Sequence, residues 1–329
     1  MIKKVLGIGN ALVDLLINID SDTFLKDFNL PKGSMTLIDR EKMEAILQRI
    51  ASSGMEMQRA SGGSAANTIH GLSQLGGIAG YIGKTGKDDY GSFFCSYMEQ
   101  NNICATLFNG KVDTGKSIIM VSPDSERTFA TYLGAAVELN ASDLTQPNFM
   151  GYDYFHLEGY LVQNYELVEK ALELANNAGC GIAIDLASYN IVRENIEFLH
   201  RIVKKYVDIV FANEEEARVF SGKNDAESAL DFIASLCSTA IVKIGKDGSL
   251  IREKDKKYRI EPIKAIPKDT TGAGDLYASG FFYGLTSGQS LDICGKIGSI
   301  VSAKIIEVVG AKMGPDRWDE VKRLIGAIV

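Results

Sequence analysis

The chain has 329 residues, of which 46% are hydrophobic, and a formal net charge of −7. Its length and apolar content suffice for a sizeable core, whereas the acidic balance argues against a nucleic-acid partner, which would need a basic face. No uncharged apolar stretch reaches about 18 residues, so no membrane span is predicted. Five scattered cysteines without a C-x-x-C pair favour reduced thiols and a cytoplasmic location.

Short apolar runs alternate with longer helical patterns along most of the chain. The predicted strands are residues 5–8, 79–82, 154–157, 182–185, 209–212 and 241–244, and the predicted helices between them are 64–75, 88–101, 164–178 and 193–205. This alternation is typical of an α/β fold with a mostly parallel central sheet flanked by helices. From residue 272 to about 328 the pattern is helical only.

Two segments depart from this alternation, at 13–38 and about 104–134. They contain strand-like runs, such as 116–121 and 127–133, without helical patterns between them. Antiparallel strands beside a parallel sheet predict a small β-strand lid inserted in the core. No Pro-, Gly- or Ser-rich linker divides the chain, so we expect one α/β domain over residues 1–329.

The loop after the first predicted strand carries Gly7-x-Gly9. Leu12 stands where a dinucleotide-binding fingerprint needs its third glycine, which argues against a dehydrogenase. Asn10 and Asp14 are better explained as a clamp for vicinal hydroxyls of a sugar, because a carboxylate accepts from two hydroxyl groups together. The alternative is an ordinary turn at a strand end.

A glycine cluster at 61–67 reads SGGSAAN and precedes a predicted helix. Gly62 and Gly63 let a ligand approach the backbone, and Asn67 can both donate hydrogen bonds to hydroxyls and accept them. A flexible turn before a helix would look the same. The cluster therefore gains weight only in combination with a second one.

That second cluster is DTTGAGD at 269–275, directly before an apolar run. A glycine-containing turn at a helix N-terminus offers unpaired backbone N–H groups to an anion, here those of Gly272, Ala273 and Gly274. Asp275 adds a carboxylate in the first helical turn, so a phosphate cradle and a general base are adjacent. The alternative is a capped helix start in which Asp275 only favours the helix dipole.

Taken together, GGSAANTIHGLSQLGG and DTTGAGDLYASGFFYGL resemble the two signature regions of the ribokinase-like (PfkB) family of carbohydrate and nucleoside kinases. The resemblance extends to the opening GIGNALVD and to NEEEA at 213–217, and so covers nearly the whole chain. It implies a ribokinase-like fold whose strand lid closes over the substrate, with ATP and Mg²⁺ as cofactors. It also implies that Asp275 accepts the proton of a primary hydroxyl that attacks the γ-phosphorus, and that Asn10, Asp14 and Asn67 hold sugar hydroxyls.

For the nucleotide side the resemblance implies a further set of residues. Asn213 and Glu216 match the family's N-x-x-E pattern and would hold Mg²⁺ through water, while Lys243, Gly245 and Gly248 would line the nucleotide. Asp269 and Thr271 resemble a monovalent-cation loop that would bind K⁺. Arg127 could reach a phosphate on lid closure or form an ion pair within the lid.

Within the family the chain is most similar to the adenosine kinase branch, on its opening GIGNALVDLLINID and on YVDIVFANEEEARVF at 206–220. Adenosine is therefore the expected acceptor, with Tyr160 and Phe129 as candidates to stack on the purine. A ribokinase- or fructokinase-like sugar kinase is the alternative, and a catalytically silent sugar- or nucleoside-binding protein is an alternative of another class. Monomer and homodimer, the latter joined through lid strands, both occur in the family.

Overall fold

The computed structural model describes residues 3–124 and 126–329, which form fourteen β-strands and twelve α-helices. The strands are β1 (Lys4–Ile8), β2 (Leu12–Asn18), β3 (Met35–Leu37), β4 (Gln58–Gly62), β5 (Ile78–Thr85), β6 (Ile103–Asn109), β7 (Gly115–Val121), β8 (Arg127–Tyr132), β9 (Tyr154–Glu158), β10 (Gly181–Asp185), β11 (Ile209–Asn213), β12 (Thr239–Lys243), β13 (Ser249–Glu253) and β14 (Lys256–Ile260). The helices are α1 (Thr23–Asp27), α2 (Arg40–Ser53), α3 (Ser64–Gln74), α4 (Asp89–Gln100), α5 (Tyr165–Asn177), α6 (Tyr189–Glu194), α7 (Ile196–Tyr206), α8 (Glu214–Ser221), α9 (Ala226–Ala234), α10 (Ala273–Thr286), α11 (Leu291–Ile305) and α12 (Pro315–Gly326).

Nine strands form a large sheet in the order β14-β13-β12-β11-β10-β9-β1-β5-β6. Every pair from β12 to β6 is parallel, whereas β13 pairs antiparallel with both β12 and β14. The central strands are largely apolar because helices cover both faces of the sheet, as in β10, where residues 182–184 are apolar and buried. The predicted α/β fold with a mostly parallel sheet is confirmed, and each of the six predicted strands lies in this sheet.

After β14 the chain is helical, as predicted, with α10, α11 and α12 in succession. The α10 helix is buried nearly all round because its sequence, AGDLYASGFFYGLT, is apolar on every face after its first turn. None of the helices in the described ranges combines the length and the hydrophobicity that crossing a membrane requires.

A second, smaller sheet has the order β3-β8-β7-β2-β4. It differs in two ways from the lid predicted over residues 13–38 and about 104–134. It includes β4, which lies outside those segments, and it does not include residues 103–109. Those residues form β6, which pairs in parallel with β5 at the edge of the large sheet. The prediction was wrong there because an edge strand is half-exposed, and its alternating pattern resembles that of an antiparallel strand.

Polar residues gather at one edge of the large sheet. Glu158, Asp185, Asn213 and Lys243 are the last residues of β9, β10, β11 and β12. Because these four strands are parallel, their carboxyl ends lie on the same side, which is where open α/β sheets bind ligands. The same edge therefore holds the candidate site.

Candidate active site

A cleft of ≈ 890 Å³ opens at this edge. The predicted nucleotide residues all line it, together with the turn that begins α10: Asn213, Glu216, Lys243, Gly245, Gly248, Gly272, Ala273, Gly274 and Asp275. Its remaining wall is largely apolar and includes Ile263, Ala303 and Ile306. A pocket with one polar, partly charged side and one apolar side fits a ligand that joins phosphates to a ring system.

The turn before α10 has the shape of an anion cradle. Gly272 adopts φ +75°, and a Cβ there would lie 2.7 Å from the Cβ of Ala311, so only glycine fits. Among the described residues, the N–H groups of Gly272, Gly274 and Asp275 have no hydrogen-bond acceptor, whereas that of Ala273 donates to the Thr270 carbonyl at 3.1 Å. Of the predicted donors 272, 273 and 274, Ala273 is therefore already paired, whereas the N–H of Asp275 is unpaired.

The Asp275 carboxylate is held from the neighbouring helix α3. Its Oδ1 accepts from the Ser64 hydroxyl at 2.7 Å, and its Oδ2 accepts from the Asn67 amide at 2.9 Å. Burial raises the pKa of Asp275 to about 6, although the two hydrogen bonds work in the opposite direction. Because the group is ionised at neutral pH and yet more basic than an ordinary carboxylate, it is suited to accept a proton.

Behind Asn67 lies Lys312, whose Nζ donates to the Asn67 Oδ1 at 2.9 Å. Asp14, on β2 of the smaller sheet, is close enough to both Lys312 and Asp275 to interact with them electrostatically. Burial raises the pKa of Asp14 to about 7, while Lys312 opposes that rise. The structure thus brings Asp14 and Asn67 together beside Asp275. Both residues are predicted to bind the substrate that accepts the phosphoryl group.

The glycine pair before α3 packs against the first loop. Gly63 adopts φ +96°, and a Cβ there would lie 2.1 Å from the Asn10 carbonyl oxygen. At Gly62 a Cβ would meet the Asp14 Oδ1 at 2.1 Å. Gly63 therefore lets the loop carrying Asn10 approach the start of α3, and Gly62 leaves room for the Asp14 side chain on β2.

Glu158, which the sequence did not single out, connects these parts. It is 1% exposed and accepts from the Asn10 side chain at 2.7 Å and from the Ala65 N–H at 2.9 Å. Burial raises the pKa of Glu158 to about 7 despite those hydrogen bonds. Its position directly after a predicted strand was the signal that could have identified it.

Lys243 supplies positive charge beside the anion cradle. Its Nζ pairs with Asp185 at 2.8 Å and would lie 2.9 Å from a Cβ on Gly274. Burial opposes its charge, but Asp185 and then Glu216 more than offset this and raise the pKa of Lys243. Asp185 was not predicted either, although it ends a predicted strand in the same way as Glu158.

Asn213 and Glu216 form a capping box at the start of α8. The Glu216 carboxylate accepts from the Asn213 backbone N–H at 2.7 Å and from its side chain at 2.6 Å. Burial, and then Asp185, raise the pKa of Glu216 to about 7. No group of three or more His, Cys, Asp or Glu residues in the described ranges could cage a metal ion. The hard oxygens here fit Mg²⁺ only through its water ligands.

Asp269 is buried and already satisfied. Its Oδ1 accepts from the Thr271 N–H at 2.9 Å, and its Oδ2 accepts from the Gly310 N–H at 2.7 Å and from the guanidinium of Arg127. The guanidinium of Arg127 therefore already supplies a positive charge to this carboxylate, and the residues do not fit a second cation, such as K⁺, at the same place. Arg127 joins β8 of the smaller sheet to the loop before the cradle and does not face the cleft.

Tyr160 and Phe129, the two residues predicted to stack on the purine, lie in different places. Tyr160 lines the cleft, and burial raises the pKa of its hydroxyl well above the ordinary value. Phe129 lies on β8 and is not among the residues that line the cleft. Tyr160 is on the nucleotide side, so neither residue is placed by the structure against the acceptor.

Comparison with known proteins identifies the family of this chain. The model of the pfkB family carbohydrate kinases matches residues 29–317. A probable sugar kinase from Rhizobium etli CFN 42 is 34% identical, with a TM-score of 0.87 over 98% of each chain. An adenosine kinase from Sinorhizobium meliloti is 32% identical, with a TM-score of 0.87 over 98% of this chain and 100% of its own. A 5-dehydro-2-deoxygluconokinase from Clostridium botulinum is 28% identical over 79% of this chain and 82% of its own.

Proposed function

This chain belongs to the pfkB family of carbohydrate kinases, and from that premise we propose that it transfers the γ-phosphoryl group of ATP to a primary hydroxyl of adenosine. That it is an ATP-dependent phosphotransferase follows from the family and from its kinase relatives. The observation that carries the proposed mechanism is the juxtaposition of unpaired amides and the Asp275 carboxylate at one helix start, facing the cleft.

Asp275 is the proposed general base. With a pKa of about 6 it is mostly ionised at pH 7.5, and the hydrogen bonds from Ser64 and Asn67 fix its direction. It takes the proton of the acceptor hydroxyl as that oxygen attacks the γ-phosphorus of ATP. The N–H groups of Gly272, Gly274 and Asp275 stabilise the charge on the phosphoryl oxygens during the transfer.

Five other residues hold the nucleotide and its metal ion in this proposal. Lys243 lies beside the cradle and neutralises phosphate charge, and the apolar wall near Ile263 and Ile306 takes the adenine. Asn213 and Glu216 would hold Mg²⁺ through its waters, and the ion when bound neutralises charge on the phosphates.

The smaller sheet is the proposed lid. It contributes Asp14 to the acceptor side and Arg127 to the loop before the cradle, so its position is coupled to both halves of the site. Closure would exclude water and suppress wasteful hydrolysis of ATP. We therefore expect ATP consumption without an acceptor to be a small fraction of that with one.

Adenosine as the acceptor is supported by the Sinorhizobium adenosine kinase, which matches this chain along its full length. A sugar acceptor is the second candidate, because the Rhizobium sugar kinase is equally similar and the half-buried Asp14 and the buried Asn67 and Asn10 suit the hydroxyls of either class. A coupled assay of ADP release over adenosine, other nucleosides, ribose and fructose decides between them. A kcat/KM for adenosine at least a hundredfold above that of any free sugar supports the proposal, and a preference for ribose or fructose overturns it.

A further inference from the structure

Lys312 lies in the loop between α11 and α12, far in sequence from both signature regions. Its Nζ reaches Asn67 at 2.9 Å and stands 5.5 Å from the centre of the Tyr97 ring. None of the ion pairs in the described part of the chain includes Lys312. Among the described residues, the one side chain to which Lys312 donates a hydrogen bond is that of Asn67.

The direction of that hydrogen bond has a consequence for Asp275. Burial lowers the pKa of Lys312 to about 8, and below that pH the group is an ammonium, which can only donate, so the atom of Asn67 that faces it must be the amide oxygen. The amide nitrogen then points the other way, and it donates to the Asp275 Oδ2 at 2.9 Å. With the amide reversed, its oxygen would face the carboxylate oxygen, and two acceptors would repel each other.

Other charged or titratable groups surround this pair. Those that act on Asp275 or that Asp275 acts on are Asp14, Glu158, Tyr160, Asp185, Lys243 and Lys312. Those around Lys312 are Asp14, Asp275, the neutral His70 and Tyr97. Lys243 is held by Asp185 on the nucleotide side, so Lys312 is the cation on the acceptor side of Asp275.

We propose that Lys312 is a positioning residue for phosphoryl transfer: it fixes the Asn67 amide in the orientation that donates a hydrogen bond to Asp275. The inference rests on the proposed role of Asp275 as the general base. It gives the loop between α11 and α12 a part in catalysis although Lys312 is two hydrogen bonds away from the reacting atoms.

The test compares Lys312→Met, Lys312→Arg and wild type by the pH dependence of kcat/KM. In Lys312→Met the Asn67 oxygen loses the donor that anchors it and a nearby positive charge is lost, so the hydrogen bond to Asp275 weakens and the acid limb should move upward by about one pH unit. The variant then loses about fivefold more activity at pH 6 than at pH 8. Lys312→Arg keeps a donor-only cation and should retain the wild-type limb. Lys322→Met, on the exposed face of α12, is the matched control and should leave the profile unchanged.

A purely structural role gives a different result. It would lower the thermal stability of Lys312→Met and reduce activity equally at every pH, and an unmoved acid limb overturns the inference. Should Lys312→Met not fold, Lys312→Gln replaces it, because a glutamine is uncharged and can present either end of its amide to Asn67.

A readout without turnover separates this inference from the proposed function. ¹³C NMR titration of the Asp275 carboxyl should show its midpoint raised in Lys312→Met and restored in Lys312→Arg. If wild type phosphorylates no acceptor while this shift is present, the function fails and the positioning contact stands. If wild type is an active kinase and the midpoint does not move, the positioning contact fails alone.

Discussion

His156 should make the stability of this protein depend on pH. Its side chain is on β9 in the large sheet, is 0% exposed, and packs edge-on against Phe211 and Phe282 at 6.2 and 5.3 Å between ring centres. Neither ring nitrogen has a hydrogen-bond partner among the described residues. Burial lowers the pKa of His156 to about 4, from 6.5 in an exposed histidine.

The sign follows from where the proton binds more tightly. The unfolded chain takes up the proton near pH 6.5, whereas the folded protein resists it until about pH 4, so stability is lost as the pH falls between these values. The loss from this one group amounts to about 2 kcal/mol between pH 7 and pH 5. The buried carboxyls with raised pKa values gain stability as the pH falls, so the pH dependence of the free energy of unfolding of wild type combines both effects.

A comparison with His156→Leu isolates the histidine. The free energy of unfolding of both proteins is measured in urea at pH 7 and at pH 5. Between these pH values the variant should become more stable relative to wild type by about 2 kcal/mol. Leu157→Ala, at the next position of β9, is the control: its cost should not depend on pH, because no titrating group changes. A difference between wild type and His156→Leu that is the same at both pH values would refute the reasoning.

Three further outcomes follow from the site. Gly63→Ala should lower the free energy of unfolding, measured in urea, by at least about 2 kcal/mol and raise the KM for the acceptor substrate, because the new Cβ meets the Asn10 carbonyl. Gly54→Ala is its control: Gly54 has a similar φ of +72° but open space around it, so its substitution should cost about 1 kcal/mol or less. Lys243→Met should weaken ATP binding at least tenfold by calorimetry, since it leaves Asp185 buried without its partner; unchanged affinity would remove Lys243 from the phosphate site. The buried arginine–aspartate pair behind the cradle predicts that replacing K⁺ with choline leaves turnover unchanged, and strong activation by K⁺ would contradict that assignment.

The sequence was most informative where function and local structure share a short segment. The two glycine clusters could be recognised because a turn, an anion cradle and a helix start all lie within seven residues. Asn67 and Asp275 meet through a hydrogen bond, as a site made of both clusters requires. The nucleotide residues were implied by the family resemblance alone, although Asn213 and Lys243 prove to be the last residues of β11 and β12.

What could not be predicted depends on contacts between distant segments. Lys312 carries no local signal, and only the packing of its loop brings it to Asn67, 245 positions away. Arg127 could be read as a phosphate ligand or as an ion pair, and the approach of β8 to the loop at Asp269 gives the ion pair. The true edge of the smaller sheet was missed for the same reason, because strand pairing is set by the tertiary fold and not by the alternation within one strand.

The central claim is that Asp275 removes the acceptor proton while the neighbouring amides hold the phosphoryl group. The most direct test measures kcat and the ATP dissociation constant of Asp275→Asn beside wild type with the preferred acceptor. The account predicts a kcat lower by at least about 10²-fold, in the range of general-base contributions, with the ATP dissociation constant nearly unchanged. Turnover near that of wild type would contradict it.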